Sequence, residues 1–376
     1  MDIRQELRSL AAFTSHEMPV VSVYLDTQWR DLHQYERTVM FLKNRLHQAN
    51  TLAFDAEAAQ QSLHNDLQRI LNWSTERLKR SRSPHTPGVA LFACSGGDLW
   101  VELPSPVPFE NELTIADSPA LRQLARLDHD YATTLVVLVD SRAARICEVV
   151  MGGWSSETDV ISEVPGRHQQ GGWAQMRYQR HVKDHMDRHH KEVAEYLAAY
   201  HQAQPQAFII LSGQDEIIAN LRPFLPTQVQ QQVLDVVRLD IHESQADILQ
   251  TARDVIEQHE REEEQDLVQR LLHRAGHGGL AAVGMQETLD AANAGRIHLL
   301  IMHRDLTYPG WHCPGCGHLG AEESSVCPVC GHTMAAVELG EALVNRALQT
   351  DAAVELIEPE PHLTAFDGIG VFLRYY

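Results

Sequence analysis

A glutamine, Gln175, lies three residues beyond a Gly-Gly pair in the stretch QQGGWAQMRYQRH, residues 169–181. Glycine lets a backbone approach a substrate closely, here at Gly171 and Gly172. The amide of Gln175 has no useful pKa, so it cannot be a general base, but it can orient a water molecule by hydrogen bonding. The pattern suits hydrolysis of a nucleic-acid-linked ester. The alternative is an ordinary mobile surface turn.

A cationic segment follows this glutamine. Residues 167–191 contain six Lys or Arg and two Asp, a net charge of +4, whereas the 376-residue chain has a net charge of −20. A local concentration of cations is typical of a contact with a nucleic-acid backbone. Trp173 either stacks on a base or anchors the loop. The candidate RNA-binding residues are Trp173, Arg177, Arg180, His181, Lys183 and Arg188.

Histidines recur at four-residue steps in the same segment, at His181, His185 and His189. On a helix these three side chains would share one face. Two histidines at this spacing can bind a metal, but no glutamate completes an HExxH pattern. We therefore expect the histidine face to point towards phosphates or bases.

A nuclease is a third alternative for this part of the chain. Asp140 ends a predicted strand, and nuclease chemistry needs several converging carboxylates with Mg²⁺. Asp159 and Asp240 are the other candidates, but their spacing does not indicate that they converge with Asp140.

Four of the six cysteines form two CxxC pairs, each followed by a glycine and separated from each other by ten residues. Two such pairs predict a closed tetrahedral zinc site with a structural role, rather than a redox pair. His312, His318 and His332 are alternative ligands. The remaining thiols, Cys94 and Cys147, lie in apolar runs and are expected to be buried, which suits a reducing compartment. The predicted zinc ligands are Cys313, Cys316, Cys327 and Cys330.

Alternating strand-like and helix-like segments predict an α/β fold with three domains. The expected domains are residues 1–126, an N-terminal α/β domain; 127–250, a middle domain that carries the glycine–glutamine loop; and 251–376, a C-terminal α/β domain with zinc knuckles near 311–333. A strand is predicted at Val20–Asp26 and a long helix at Arg177–His201. The N-terminus is charged and no apolar run is long enough to span a membrane, so we expect a cytoplasmic protein without membrane contact.

The order of these parts resembles the archaeal and eukaryotic class-1 peptide chain release factors and their Pelota relative. Within that superfamily the chain resembles the bacterial branch akin to the Vms-type peptidyl-tRNA hydrolases. The resemblance rests on GGWAQMRYQRH, on GLAAVGMQETLDAANAGRIHLLI and on the closing DGIGVFLRYY. It implies a ribonuclease-H-like middle domain and a ribosomal-protein-like C-terminal domain with an inserted zinc ribbon.

The resemblance also implies an activity. The loop would enter the peptidyl-transferase centre of the large ribosomal subunit from the A site, with Gln175 positioning water against the peptidyl-tRNA ester. Gly171 and Gly172 would allow the approach, and Arg177 and Arg180 would contact tRNA or rRNA. A translational GTPase is a possible partner, and we expect a monomer.

Two departures from the family pattern bear on this expectation. Trp173 and Ala174 separate the glycines from Gln175, and no Asn-Ile-Lys-Ser stretch is found. Rescue of stalled ribosomes, or of peptidyl-tRNA on a split large subunit, therefore fits better than stop-codon decoding. The alternative is a non-catalytic factor for ribosome hibernation or stall recognition that occupies the A site.

Overall fold

The computed structural model describes residues 3–13, 15, 18–28, 32–52, 54, 56–80, 87–105, 107–129, 133–150, 153–161 and 173–375. Within these ranges, only the backbone is described for residues 3, 4, 32, 75, 77–80, 128, 129, 153, 161 and 173–182. The chain divides into two compact units. One consists of Met1–Asp130 and Glu263–Tyr376, and the other of Tyr131–Glu262.

The N-terminal segment of the first unit is built on an antiparallel sheet. Its elements are α1 (Ile3–Ala11), β1 (Val20–Asp26), α2 (Leu32–Ala49), α3 (Glu57–Arg80), β2 (Gly88–Cys94), β3 (Leu99–Ser105), β4 (Glu112–Ala116) and α4 (Arg122–His129). The strand order is β3-β2-β1-β4. β-Branched residues favour the strand β1, and its Val21 and Val23 pack with Leu42 of α2 and Leu63 of α3.

The second unit has a mixed five-stranded sheet. Its elements are β5 (Thr134–Val139), β6 (Ala143–Val150), β7 (Gly153–Ile161), α5 (Trp173–Ala203), β8 (Phe208–Ser212), α6 (Asp215–Leu221), α7 (Thr227–Gln231) and β9 (Val233–Val237). The order is β7-β6-β5-β8-β9. Strands β5, β6 and β7 pair antiparallel, whereas β8 pairs parallel with β5 and β9.

The central strand of this sheet is buried on both faces. Because successive side chains of a strand point to opposite sides, Val137 packs with Val193 and Leu197 of α5. On the other face Val136 packs with Ile248, the first buried residue of a long helix, α8 (Gln245–Gly276). This helix is continuous over its whole length.

The C-terminal segment of the first unit contains two sheets. Its elements are β10 (Ala281–Val283), α9 (Met285–Asn293), β11 (Ile297–His303), β12 (Pro309–His312), β13 (Leu319–Gly320), β14 (Ala335–Glu338), α10 (Leu339–Gln349), β15 (Ala353–Ile357), α11 (Pro361–Thr364) and β16 (Ile369–Leu373). The larger sheet has the order β10-β16-β11-β15, and the smaller one β13-β12-β14. The smaller sheet carries the cysteines.

The predicted α/β class is confirmed. The predicted division into three domains stays a prediction, although the first and last segments each have their own sheet within one compact unit.

Candidate functional site

The candidate catalytic residues lie at the N-terminal end of α5. The helix begins at Trp173, four residues before the predicted start, and ends at Ala203. Gln175 therefore lies in the first helical turn rather than in the preceding loop. Gly171 and Gly172 lie outside the described residues. Only the backbone is described for Trp173, Gln175, Arg177, Arg180 and His181.

Further along α5 the cations Lys183 and Arg188 are exposed, as an RNA contact requires. An acidic side chain, Asp184, lies between these two cations in the sequence and is also exposed. One turn later the Lys191 ammonium lies 3.7 Å from the Glu195 carboxylate. The excess of positive charge therefore belongs to the N-terminal part of the helix, next to Gln175.

The expectation that the histidine face points towards RNA is wrong at His189. His189 and its neighbour His190 are both completely buried, because this part of α5 packs on the middle sheet. Burial lowers the pKa of both imidazoles, so both are held neutral. The His190 ring lies 6.2 Å from that of Phe224. These histidines are core residues.

The three aspartates considered for a nuclease do not form a metal site. Asp140 Oδ1 accepts hydrogen bonds from the backbone N–H groups of Arg142 and Ala143 at 2.6 and 2.7 Å, which closes the turn between β5 and β6. Asp240 accepts from the backbone of His242 in another turn. Asp159 lies on β7, opposite Arg145. Among the described residues, none of these aspartates belongs to a group able to hold a metal ion.

The four predicted cysteine ligands come together. Their Sγ atoms all lie within 4.8 Å of one another, with Cys313 and Cys330 3.3 Å apart and Cys316 and Cys327 3.6 Å apart. Zn–S bonds of about 2.3 Å place the sulfurs of a tetrahedral site about 3.8 Å apart. The cluster therefore has the size that a four-cysteine metal site requires.

Backbone geometry prepares these cysteines to bind a cation. Gly317 donates a hydrogen bond to the Cys313 carbonyl and Gly331 to the Cys327 carbonyl, and both glycines have a positive φ, which favours glycine. Desolvation raises the pKa of the Cys327 thiol, but hydrogen bonds from the backbone N–H groups of Cys330 and Val329 and from the thiols of Cys316 and Cys313 together bring it to about 6. Hydrogen bonds among the thiols raise the pKa of Cys316 and Cys330 in turn. A thiolate is the form that binds a metal.

The alternative histidine ligands are engaged elsewhere or lie outside the cluster. His312 Nδ1 lies 3.4 Å from a carboxylate oxygen of Asp117, which lies in the N-terminal segment of the same unit. The His332 ring lies against Gly315 of the first knuckle. His318 is likewise not among the grouped ligand atoms. Cys94 and Cys147 are buried, as predicted.

One polar residue that the sequence analysis did not identify, Asn293, links the small sheet to α9. Asn293 of α9 donates to the Leu319 carbonyl at 2.8 Å and accepts from the Leu319 N–H at 2.9 Å. An asparagine near a helix C-terminus is too common to carry a signal in one sequence. This contact is therefore visible only in the fold.

No helix among the described residues is long and apolar enough to cross a membrane.

The sequence is similar to those of archaeal peptide chain release factors and, over part of its length, to a family of bacterial release-factor-like proteins. The peptide chain release factor subunit 1 of Thermococcus onnurineus is 23% identical over 432 residues, covering 100% of this chain and 97% of that protein. The same protein from Methanocaldococcus jannaschii is 24% identical, covering 99% and 96%. Residues 119–264, which include the whole second unit, match the model of bacterial archaeo-eukaryotic release factor family 10.

Solved structures of related proteins are similar at a coarser level. Dom34 of S. cerevisiae matches with a TM-score of 0.40 and 11% identity over 74% of this chain and 72% of that chain. Pelota of Archaeoglobus fulgidus matches with a TM-score of 0.36 and 16% identity over 77% and 80%. These TM-scores are low, so the relationship rests on the sequence matches.

Proposed function

We propose that this protein is a release-factor-like peptidyl-tRNA hydrolase that acts on ribosomes and rescues stalled complexes. The observation that carries the proposal is the position of Gln175 in the first turn of a cationic helix, in a chain that matches archaeal peptide chain release factor subunit 1 along its whole length. The helix is held by a buried interface with the middle sheet, through Val193 and Leu197.

Two groups at the start of α5 would promote ester hydrolysis: a side-chain amide and the free backbone N–H groups of the first turn. The amide of Gln175 orients a water molecule towards the ester carbonyl carbon. The first backbone N–H groups of a helix have no intrahelical acceptor and lie at the positive end of its dipole. In the proposed reaction they favour the negative charge that develops on the carbonyl oxygen. The water oxygen bonds to the carbonyl carbon, the ester C–O bond to the ribose breaks, and the proton that the water loses passes to the leaving ribose oxygen.

The remaining candidate residues serve binding in this proposal. Lys183 and Arg188, which are exposed, would contact RNA phosphates together with Arg177, Arg180 and His181. Trp173 would stack on a base, and Gly171 and Gly172 would let the segment enter the peptidyl-transferase centre from the A site. The mixed sheet, with two antiparallel and two parallel pairings, supports a ribonuclease-H-like middle domain. A ribosomal-protein-like C-terminal domain and a translational GTPase as delivery partner are further parts of the proposal.

We further propose that the four cysteines hold a structural Zn²⁺. The donor set fits, because four thiolates at tetrahedral separation leave no open position for a substrate. Bound zinc would join the two knuckles by coordinate bonds. Backbone hydrogen bonds hold the thiolates in position. The Cys313 N–H donates to the His318 carbonyl and the Cys327 N–H donates to the His332 carbonyl, which fixes the conformation of the two CxxC knuckles.

The experiment that tests the function uses stalled ribosomes that carry labelled peptidyl-tRNA. Binding is measured by co-sedimentation at low salt, and peptide release is measured in the same samples. We expect both binding and release, with binding that weakens as salt rises because phosphate contacts release counterions. Failure to co-sediment would contradict any ribosomal role. Stable binding without release would instead support the non-catalytic stall-recognition or hibernation factor.

A further inference from the structure

An arginine from α10 lies against the first cysteine knuckle. A Cβ built on Gly317 would lie 3.3 Å from Nη1 of Arg346, so the guanidinium covers the backbone directly after Cys316. The Nε atom of Arg346 donates to the carbonyl of Ala292 at 3.4 Å. Arg346 is half-buried, and Val344 and Ala347 beside it on α10 are completely buried, which fixes the helix that carries it.

The charge of this arginine has no carboxylate counterpart among the described residues. Two other half-buried arginines of the same unit do have one, because Arg122 lies 2.7 Å from Glu338 and Arg304 pairs with Glu358. A partly desolvated cation without an opposite charge is costly. The four thiols, when deprotonated, would place negative charge at the knuckle that Arg346 covers.

A zinc ion with four thiolates carries a net charge of −2, since four negative charges surround a divalent cation. Two of the four thiols, Cys313 and Cys327, are buried, so solvent does not fully screen this charge. Groups outside the ligand shell tune the affinity of a metal site. The absence of a side chain at Gly317 is what lets a guanidinium approach the knuckle this closely.

We propose that Arg346 is the counter-charge of the zinc–thiolate centre and raises its affinity for zinc. This inference rests on the proposed zinc site and deepens it. Arg346 is a positioning and charge-balancing residue and does not itself bind the metal. Its second contact, to the Ala292 carbonyl beside Asn293 of α9, holds the guanidinium over the knuckle.

The test is zinc retention by the full chain against a competing chelator. Arg346→Met removes the charge and keeps the length of the side chain, whereas Arg346→Lys keeps the charge and loses the planar fork. We expect Arg346→Met to weaken zinc binding about 10-fold or more, and Arg346→Lys to stay within about threefold of wild type. Arg346→Gln, which keeps a donor for the Ala292 carbonyl, should behave like Arg346→Met.

Two controls separate the possible outcomes. Arg374→Met removes a cation that donates to the Thr350 carbonyl, and it should leave zinc affinity unchanged. If zinc affinity fell equally in the Lys, Met and Gln variants, the effect of Arg346 would come from packing and not from its charge. If zinc affinity were unchanged in the Met and Gln variants, the inference would be wrong. If the wild-type chain held no zinc, the zinc proposal itself would fail. If Arg346→Met did not fold, the comparison of Gln with Lys would decide.

Discussion

The guanidinium of Arg122 donates a hydrogen bond to the carboxylate of Glu338 at 2.7 Å, although 216 residues separate them in the sequence. The same guanidinium donates to the Leu306 carbonyl at 2.8 Å. Glu338 in turn caps α10 by accepting from the N–H groups of Gly340 and Glu341. The pair therefore joins the N-terminal and C-terminal segments of one compact unit and also begins a helix.

Loss of this pair should destabilise the unit. In Arg122→Ala the Glu338 carboxylate keeps its backbone donors but loses its only cationic partner among the described residues. We expect a loss of about 3 kcal/mol in the free energy of unfolding, measured with denaturant, because one partner of a largely buried pair is left uncompensated. Arg8→Ala, which breaks an exposed pair with Asp351 at 2.8 Å, should cost less than about 1 kcal/mol. Equal losses in the two variants would contradict the structural importance of Arg122.

A second carboxylate at the same junction should make stability depend on pH. Glu341 accepts hydrogen bonds from the backbone N–H groups of Leu121 and Arg122, at the start of α4. Desolvation raises its pKa to about 7, although these N–H groups and the charge of Arg122 oppose the shift.

A carboxyl group whose pKa is higher in the folded state binds more protons when folded. Its contribution to stability is therefore greatest below about pH 4.5 and is lost as the pH rises to about 7. Glu341→Gln should remove this loss, so the variant should gain stability relative to wild type by on the order of 2 kcal/mol between pH 4 and pH 8. The readout is the free energy of unfolding across this range. A constant difference between the two proteins would show that Glu341 does not titrate there.

The buried histidines of α5 should have the opposite dependence on pH. Burial lowers the pKa of His190 in the folded state, and neither of its ring nitrogens has a hydrogen-bond partner among the described residues. The unfolded chain takes up a proton near pH 6.5, so this stability is complete above pH 6.5 and is lost as the pH falls towards the folded-state pKa.

His190→Phe should therefore shift acid unfolding of the chain to lower pH, because phenylalanine cannot take up the proton. His242→Phe, at an exposed position of the same unit, should leave the acid transition unchanged. Near-UV circular dichroism against pH is the measurement. A shift of equal size in both variants would contradict the assignment to burial.

Removal of one zinc ligand should release the metal. We expect Cys313→Ser to lose bound zinc, measured by elemental analysis, and to melt several degrees lower, because a closed site contributes directly to folding. His318→Ala is the control, since that imidazole lies outside the ligand group. If Cys313→Ser kept both its zinc and its melting temperature, the four-cysteine assignment would be wrong.

The parts of the fold that the sequence predicted well are those with strong local patterns. β1 was predicted with its observed limits, Val20–Asp26, because a β-branched run buried along its length has few alternatives. The two CxxC pairs predicted the cysteine cluster for a similar reason, since their spacing restricts the fold of the knuckles.

Other features were missed because they depend on tertiary contacts. β4 is only five residues long, ELTIA, and lies at the edge of its sheet, so its alternation of polar and apolar residues is too short to give a clear signal. The helix α4 was not predicted because its start is capped by Glu341, a residue from the other end of the chain. The burial of His189 follows from how α5 is rotated on the sheet, which histidine spacing alone does not determine.

The central claim is that Gln175 positions the water that cleaves peptidyl-tRNA. The most direct measurement is the single-turnover release of labelled peptide from ribosomes saturated with wild-type protein, Gln175→Ala or Gln179→Ala. Gln179 lies one turn further along α5 and serves as the matched control. We expect wild type and Gln179→Ala to release peptide at similar rates, and Gln175→Ala to bind equally but release at least about 100-fold more slowly. Release by Gln175→Ala at the wild-type rate would contradict the claim.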